Sequence, residues 1–134
     1  MQTTAYWLSF PQKVTETWSA SDLETGLVGL SNVLVNVAPL FLMCDPRDIG
    51  VKPEVRSPHT GEATIYIYDR VPAGIGFAEK LYQIHDQLLE ASERLVKDCD
   101  CVQGCPSCVG PEGEIGRHGK GNALRLIADA RKSR

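Results

Sequence analysis

Four of the five cysteines in this chain fall within ten residues, CDCVQGCPSC at positions 99–108, and the fifth, Cys44, stands far from them. Their spacing is Cys99-x-Cys101-x3-Cys105-x2-Cys108. Thiolates bind zinc tightly, and a structural site takes four ligands at the corners of a tetrahedron about 2.3 Å from the ion. Gly104 and Pro106 supply the turns that let so short a loop close on one ion. Four thiolates held close together repel one another unless a cation lies between them. With four cysteine ligands no coordination position is open to water, so such a zinc is structural and not catalytic. Two other chemistries use the same residues. An iron–sulfur cluster also takes four cysteines, and Cys105-x-x-Cys108 has the spacing of a redox pair, although no thioredoxin-like pattern surrounds it.

Other candidate groups each admit a plainer reading. Asp45 and Asp48 in CDPRDIG form a carboxylate pair, yet Pro46 and Arg47 between them suit a salt-bridged turn as well. Gly74-Ile75-Gly76 at a helix start could cradle phosphate, or allow close packing of that helix on a strand. Trp7 and Trp18 are candidates for stacking on exposed bases, with core packing as the alternative. His85 falls at the edge of an apolar helix face, where its imidazole is expected to be satisfied. Arg117, His118, Lys120 and Arg125 follow the cysteine loop and are the candidate phosphate contacts, against the alternative of a solvated helix face. The run from His118 to Gly121, HGKG, is not a P-loop: it lacks both the leading glycine and the following Ser or Thr.

The elements that must hold these residues can be read from periodicity. TTAYWLSF, residues 3–10, is rich in β-formers and stops at Pro11. Ser21 and Glu24 suggest a capping box opening a helix whose stripe is Leu23, Leu27, Leu30, Leu34 and Val37. Pro39 is expected to kink or shorten that helix, and the apolar run 38–43 to be largely buried. Residues 51–56 and 63–68 read as a hairpin, with ATIYIY composed as a strand covered on both faces. A helix over 77–97 carries Leu81, Ile84, Leu88, Ala91 and Leu95 on one face. A basic helix over about 122–132 has Leu124, Ile127 and Ala128 as its apolar side. The order implies one α+β domain over 1–134, a small, mostly antiparallel sheet covered by helices, with the four-cysteine loop before the last helix.

At 134 residues, 43% apolar and 23% charged, the chain can bury a core of its own, so the cysteines are not needed to staple it. No stretch of 18 uninterrupted apolar residues predicts a membrane span, and MQTTAYWLSFPQK shows no secretory leader. A cytoplasmic protein is expected, in which clustered cysteines serve metal or redox chemistry more readily than disulfides. The net charge of −3 hides an asymmetry: residues 117–134 carry +5, leaving −8 on the rest. Such a tail suits contact with nucleic acid. No nucleophile–base pair, ATP-binding loop or acidic magnesium box is present, so the chain is not expected to be an enzyme by itself.

Three blocks, APLFLMCDPRDIGV (38–51), IYIYDRVPAGIGFAEK (65–80) and CDCVQGCPSCVG (99–110), together resemble the C-terminal zinc-binding module of superfamily 2 DEAD/DEAH-box DNA helicases, the mitomycin-repair helicase family. They lie in the family's order, and the resemblance covers most of residues 21–128. It implies an accessory domain of an ATP-dependent 3′-to-5′ helicase acting in DNA repair. It carries over Cys99, Cys101, Cys105 and Cys108 as ligands of one structural zinc, and single-stranded DNA and the helicase motor of the same polypeptide as partners. Ala73 departs from the family, many of whose members have a second glycine there. A module that docks on the motor or on a repair partner without touching DNA is the alternative reading.

Overall fold

A computed structural model describes residues 5–56, 61–69, 77–99 and 119–132. Along the chain run β1 (Ala5–Phe10), α1 (Gln12–Thr15), α2 (Ala20–Leu42), a 3-10 turn (Pro46–Asp48), β2 (Ile49–Glu54), β3 (Ala63–Asp69), α3 (Phe77–Gln83), α4 (His85–Asp98) and α5 (Gly119–Lys132). The expected α+β arrangement is what forms: a three-stranded antiparallel sheet in the order β1-β3-β2, with the helices packed around it. Strand ends differ by two residues from the sequence reading at β2, which begins at Ile49. Pro53 can sit in β2 because β2 is an edge strand, where one side needs no ladder bond.

Alternation sorts the sheet into two faces. Tyr6, Leu8 and Phe10 of β1 lie opposite Ile67, Ile65 and Ala63 of β3, and all six are buried in the core. The other face carries Trp7, Tyr66, Tyr68 and Lys52. ATIYIY is therefore covered on one face and half-exposed on the other at its tyrosines, rather than covered on both.

Helix α2 is the centre of the core and packs on β2, α4 and α5. Leu23, Leu27, Leu30, Leu34 and Val37 are buried along it, as its stripe predicts. By length and composition alone this helix would suffice to cross a membrane; here more than half of its most apolar window lies inside the domain. Its cap is not the expected Ser21. The Asp22 amide donates to Ser19 Oγ at 3.1 Å, and the helix begins at Ala20. That choice puts buried Trp18 just before the cap and buried Leu23 four positions after it, the places of a hydrophobic staple. Ser21 as cap would put Ala20 and Thr25 there instead. Pro39 does not shorten the helix, which runs on to Leu42 and closes on Met43 in the left-handed conformation (φ 55°). The Cys44 amide satisfies the Pro39 carbonyl at 3.2 Å. Cys44 itself is half-buried.

The helix expected over 77–97 is two helices, interrupted at Ile84 (φ −105°, ψ 19°). Bonds from the Ile84 amide to Lys80 O (3.0 Å) and from the Leu88 amide to Ile84 O (2.8 Å) bridge the break. Beside it the Tyr6 hydroxyl and His85 Nδ1 share a hydrogen bond of 2.5 Å, so the imidazole is satisfied at the core edge as expected.

Candidate metal centre

Of the four clustered cysteines the structure describes Cys99; Cys101, Cys105 and Cys108 lie outside the described residues, as do Arg117, His118 and the Gly74–Gly76 turn. Among the described residues no three His, Cys, Asp or Glu side chains are grouped to hold a metal. Cys99 is half-buried at the C-terminal cap of α4, extended (φ −73°, ψ 132°) where the chain leaves the helix. The partial negative charge of a helix C-terminus opposes a bare thiolate there and favours a cation. A thiolate donor in this position therefore fits a bound divalent ion.

The cation supplied by the protein is Lys120. Its Nζ donates to the Cys99 carbonyl at 2.7 Å from the first turn of α5, joining residues 21 positions apart. The two ends of the intervening segment are thus clasped. Lys120 is a candidate phosphate contact, and in the structure its ammonium lies on the Cys99 carbonyl. Helix α5 starts at Gly119, three residues before the sequence reading placed it, and that start is what brings Lys120 into range.

Helix α5 is held along its length. Its buried residues are Ala123, Leu126, Ile127 and Ala130, with Leu124 and Ala128 only half-buried, a stripe rotated from the one expected. Gly26 of α2 explains the rotation: a Cβ there would come within 2.9 Å of Leu126 Cδ1 and 3.2 Å of the Asn122 carbonyl, so glycine admits α5 to close range. Asn122 Nδ2 donates to Thr25 Oγ1 at 2.9 Å. Arg125, the other described candidate for DNA, stacks its guanidinium 3.9 Å from the Trp18 ring centroid and donates to Thr17 Oγ1 at 3.1 Å. Trp18 is 8% exposed and so cannot stack on a base; Trp7, at 48%, can.

Glu93 fastens α4 to α5. It accepts from Lys97 Nζ at 3.0 Å on its own helix and from Arg131 Nη1 at 3.2 Å across the interface. The Lys97 bond first, and the Arg131 bond after it, hold the carboxyl below the ordinary glutamate range against the opposing effect of desolvation. A depressed carboxylate stabilises the fold above its unfolded pKa, and that contribution disappears as pH falls through the folded one. Glu93→Gln is expected to lower the melting temperature at neutral pH by an amount worth less than about 1 kcal/mol. The gap should shrink as pH falls below the ordinary glutamate range and close once it has passed the depressed folded value. Melting curves of both proteins across that range check it, and a gap independent of pH would refute it.

Asp45 and Asp48 form the salt-bridged turn and not a catalytic pair. Asp45 accepts from the Arg47 amide (2.9 Å) and guanidinium (3.1 Å), while Asp48 Oδ2 accepts from the Asp45 amide (3.3 Å). The Arg47 bonds keep the Asp45 carboxyl below its ordinary range.

Comparison with known proteins places the chain. The family model described as the MrfA Zn-binding domain matches residues 30–109. An uncharacterized ATP-dependent helicase of Bacillus subtilis, YprA, is 39% identical over 127 residues, covering 95% of this chain and 17% of that protein. An uncharacterized protein of Methanocaldococcus jannaschii is 35% identical over 79 residues, which is 57% of this chain and 70% of that one. The crystal structure of the DUF1998 helicase MrfA bound to DNA superposes with a TM-score of 0.76 at 39% identity, covering 84% of this chain and 15% of that one. The complex of MrfA with DNA and AMPPNP gives 0.74 at 36% identity over 93% of this chain. The chain thus spans about one sixth of the helicases it matches.

Proposed function

The chain belongs to the MrfA Zn-binding domain family, and from that membership we propose that it is the structural zinc module of an ATP-dependent DNA helicase working in DNA repair in the cytoplasm. In this reading one zinc is held by Cys99, Cys101, Cys105 and Cys108. The ion would supply cross-linking charge and no chemistry at an open position. Lys120 would fasten the end of α5 to the first ligand through the Cys99 carbonyl. The loop then fixes α4 relative to the basic helix, so that both present one surface.

The observation that supports a DNA role is the likeness of most of this chain to part of a helicase solved with DNA bound. A fluorescein-labelled oligothymidine, titrated with the 134-residue chain and followed by anisotropy, tests it. Binding is expected in weak salt, with affinity falling about tenfold or more between about 50 and 200 mM salt if three phosphates are neutralised. Absence of binding in weak salt would leave the second reading, docking on the helicase motor. That reading has its own support. Leu40 and Met43 at the end of α2 are 77% and 92% exposed, beside a groove between α2 and α4 lined by Val37, Ala91 and Leu95. A large aliphatic surface of this kind suits a protein partner.

A further inference from the structure

Among the described residues, the end of α2 and the outer face of the sheet expose apolar side chains of different chemistry. Trp7, Tyr66 and Lys52 lie in one cross-strand row, from β1 through β3 to β2. In the next row Tyr68 lies opposite Ala5 and Gly50. Alternation puts Trp7, Tyr66, Tyr68 and Lys52 on the side away from the core. The far end of that face is closed, since Thr64 is buried. Along the rest of it Trp7 and Lys52 are exposed and Tyr66 and Tyr68 half-buried, whereas the end of α2 offers Leu40 and Met43.

The rings are held in place. Tyr68 folds down over Gly50: a Cβ at position 50 would come within 2.2 Å of Tyr68 Cζ and 2.4 Å of its hydroxyl oxygen, so only glycine leaves room for the ring against the strand. Trp7 is propped by Tyr82 of α3, whose ring meets it edge-on at 90° with centroids 6.0 Å apart. The Tyr82 hydroxyl accepts from the Trp7 backbone amide at 3.4 Å, and the Tyr82 ring packs on Tyr6 at 4.8 Å. Lys52 pairs with Glu54 at 3.3 Å with its side chain largely exposed. A surface pair of this kind is worth little and yields readily to a phosphate. Arg56 is exposed just beyond the end of β2.

Building on the DNA reading above, we propose that this face is the surface on which the module stacks the bases of single-stranded DNA, with Trp7, Tyr66 and Tyr68 as the platform and Lys52 as the phosphate contact. Tyr66 and Tyr68 are two residues apart on one face, about 7 Å along the strand. That separation suits two unstacked bases, and sheets bearing such rings take two or three. A cation set among the rings supplies the charge that a strand backbone requires. Flat rings with a cation match bases and phosphate; the aliphatic end of α2 does not.

The test uses the full chain and a short oligothymidine. In the unmodified protein, saturating oligonucleotide should quench tryptophan fluorescence, and Trp7→Phe should abolish the quenching while keeping most of the affinity. Trp7→Ala and Tyr66→Ala should each raise the Kd about tenfold without changing the salt slope, with melting curves confirming that they fold. Gly50→Ala, which evicts the Tyr68 ring but keeps it in the chain, should weaken binding too. Binding by anisotropy with no quenching and unchanged affinity in these variants would overturn the platform and leave the DNA reading standing. No binding of any kind would overturn both.

Discussion

Replacing Cys105 by serine is expected to empty the metal site, lower the melting temperature by more than any other single change in the loop region, and loosen α5 while leaving the sheet and α2 folded. A serine hydroxyl is a poor ligand for zinc beside thiolates, and a three-cysteine remnant opens a position to water. Zinc in small cysteine sites contributes on the order of 10 kcal/mol of apparent binding free energy at neutral pH, and that energy is folding energy for the segment that closes on it. The loss has a defined boundary. The core built from β1, β3 and α2 has Phe10, Leu30, Leu34 and Ile65 fully buried at its centre, on elements that carry none of the four cysteines. The clasp from Lys120 to the Cys99 carbonyl is where the disturbance should enter α5. Elemental analysis should fall from one zinc per chain to none. Hydrogen exchange should rise in α5 and at the end of α4, with the amides of β3 unaffected. A variant that keeps its zinc and its melting temperature would remove the structural role assigned to the loop.

What the sequence made legible was what local chemistry dictates. The stripe of α2, the alternation in β3 and the spacing of the cysteines each follow from a period or a donor count, and each needs only nearby residues to be read. Most departures arose where a distant residue decides. Ser19 rather than Ser21 caps α2 because Trp18 and Leu23 bury together, and Trp18 is itself covered by Arg125 from the other end of the chain. The interruption at Ile84 lies beside a tyrosine, Tyr6, that sits 79 positions before His85. Pro39 signalled a helix end, and the turn formed by Met43 and Cys44 placed that end three residues later.

The candidate site shows the same division. The residue types pointed to metal and to DNA, and the donor pattern of the loop could be read from spacing alone. Which basic residues are committed within the fold could not. Arg125 and Lys120 look equivalent in a basic tail, yet one covers a tryptophan and the other holds a backbone carbonyl. Trp7 and Trp18 were likewise indistinguishable by type. The strand period gives Trp7 to the outer face, a signal available in TTAYWLSF once Tyr6, Leu8 and Phe10 are taken as the inner set. Gly50, whose need for a bare backbone makes room for Tyr68, gave no signal until the cross-strand register was known.

Leu126→Ala is expected to cost about 3 kcal/mol of stability and, in the zinc-loaded protein, to speed loss of the metal to a chelator. Leu126 is fully buried where α5 meets α2 at Gly26, so truncation leaves a void that two rigid helices fill poorly. In a chain of this size a loss of that magnitude lowers the melting temperature by roughly 10 °C. The second effect follows from the geometry of α5. The helix that Leu126 anchors also carries Lys120, so a looser anchorage lets the clasp on Cys99 open more often. Lys120→Met removes the clasp and keeps the anchorage; it should speed metal loss with a smaller fall in stability. Measuring chelator-driven release in both variants separates the two links. Unchanged release in Leu126→Ala, despite its lower melting temperature, would show that α5 and the cysteine segment are energetically independent. The proposed rigid presentation of α4 and α5 by one metal-closed loop would then fail.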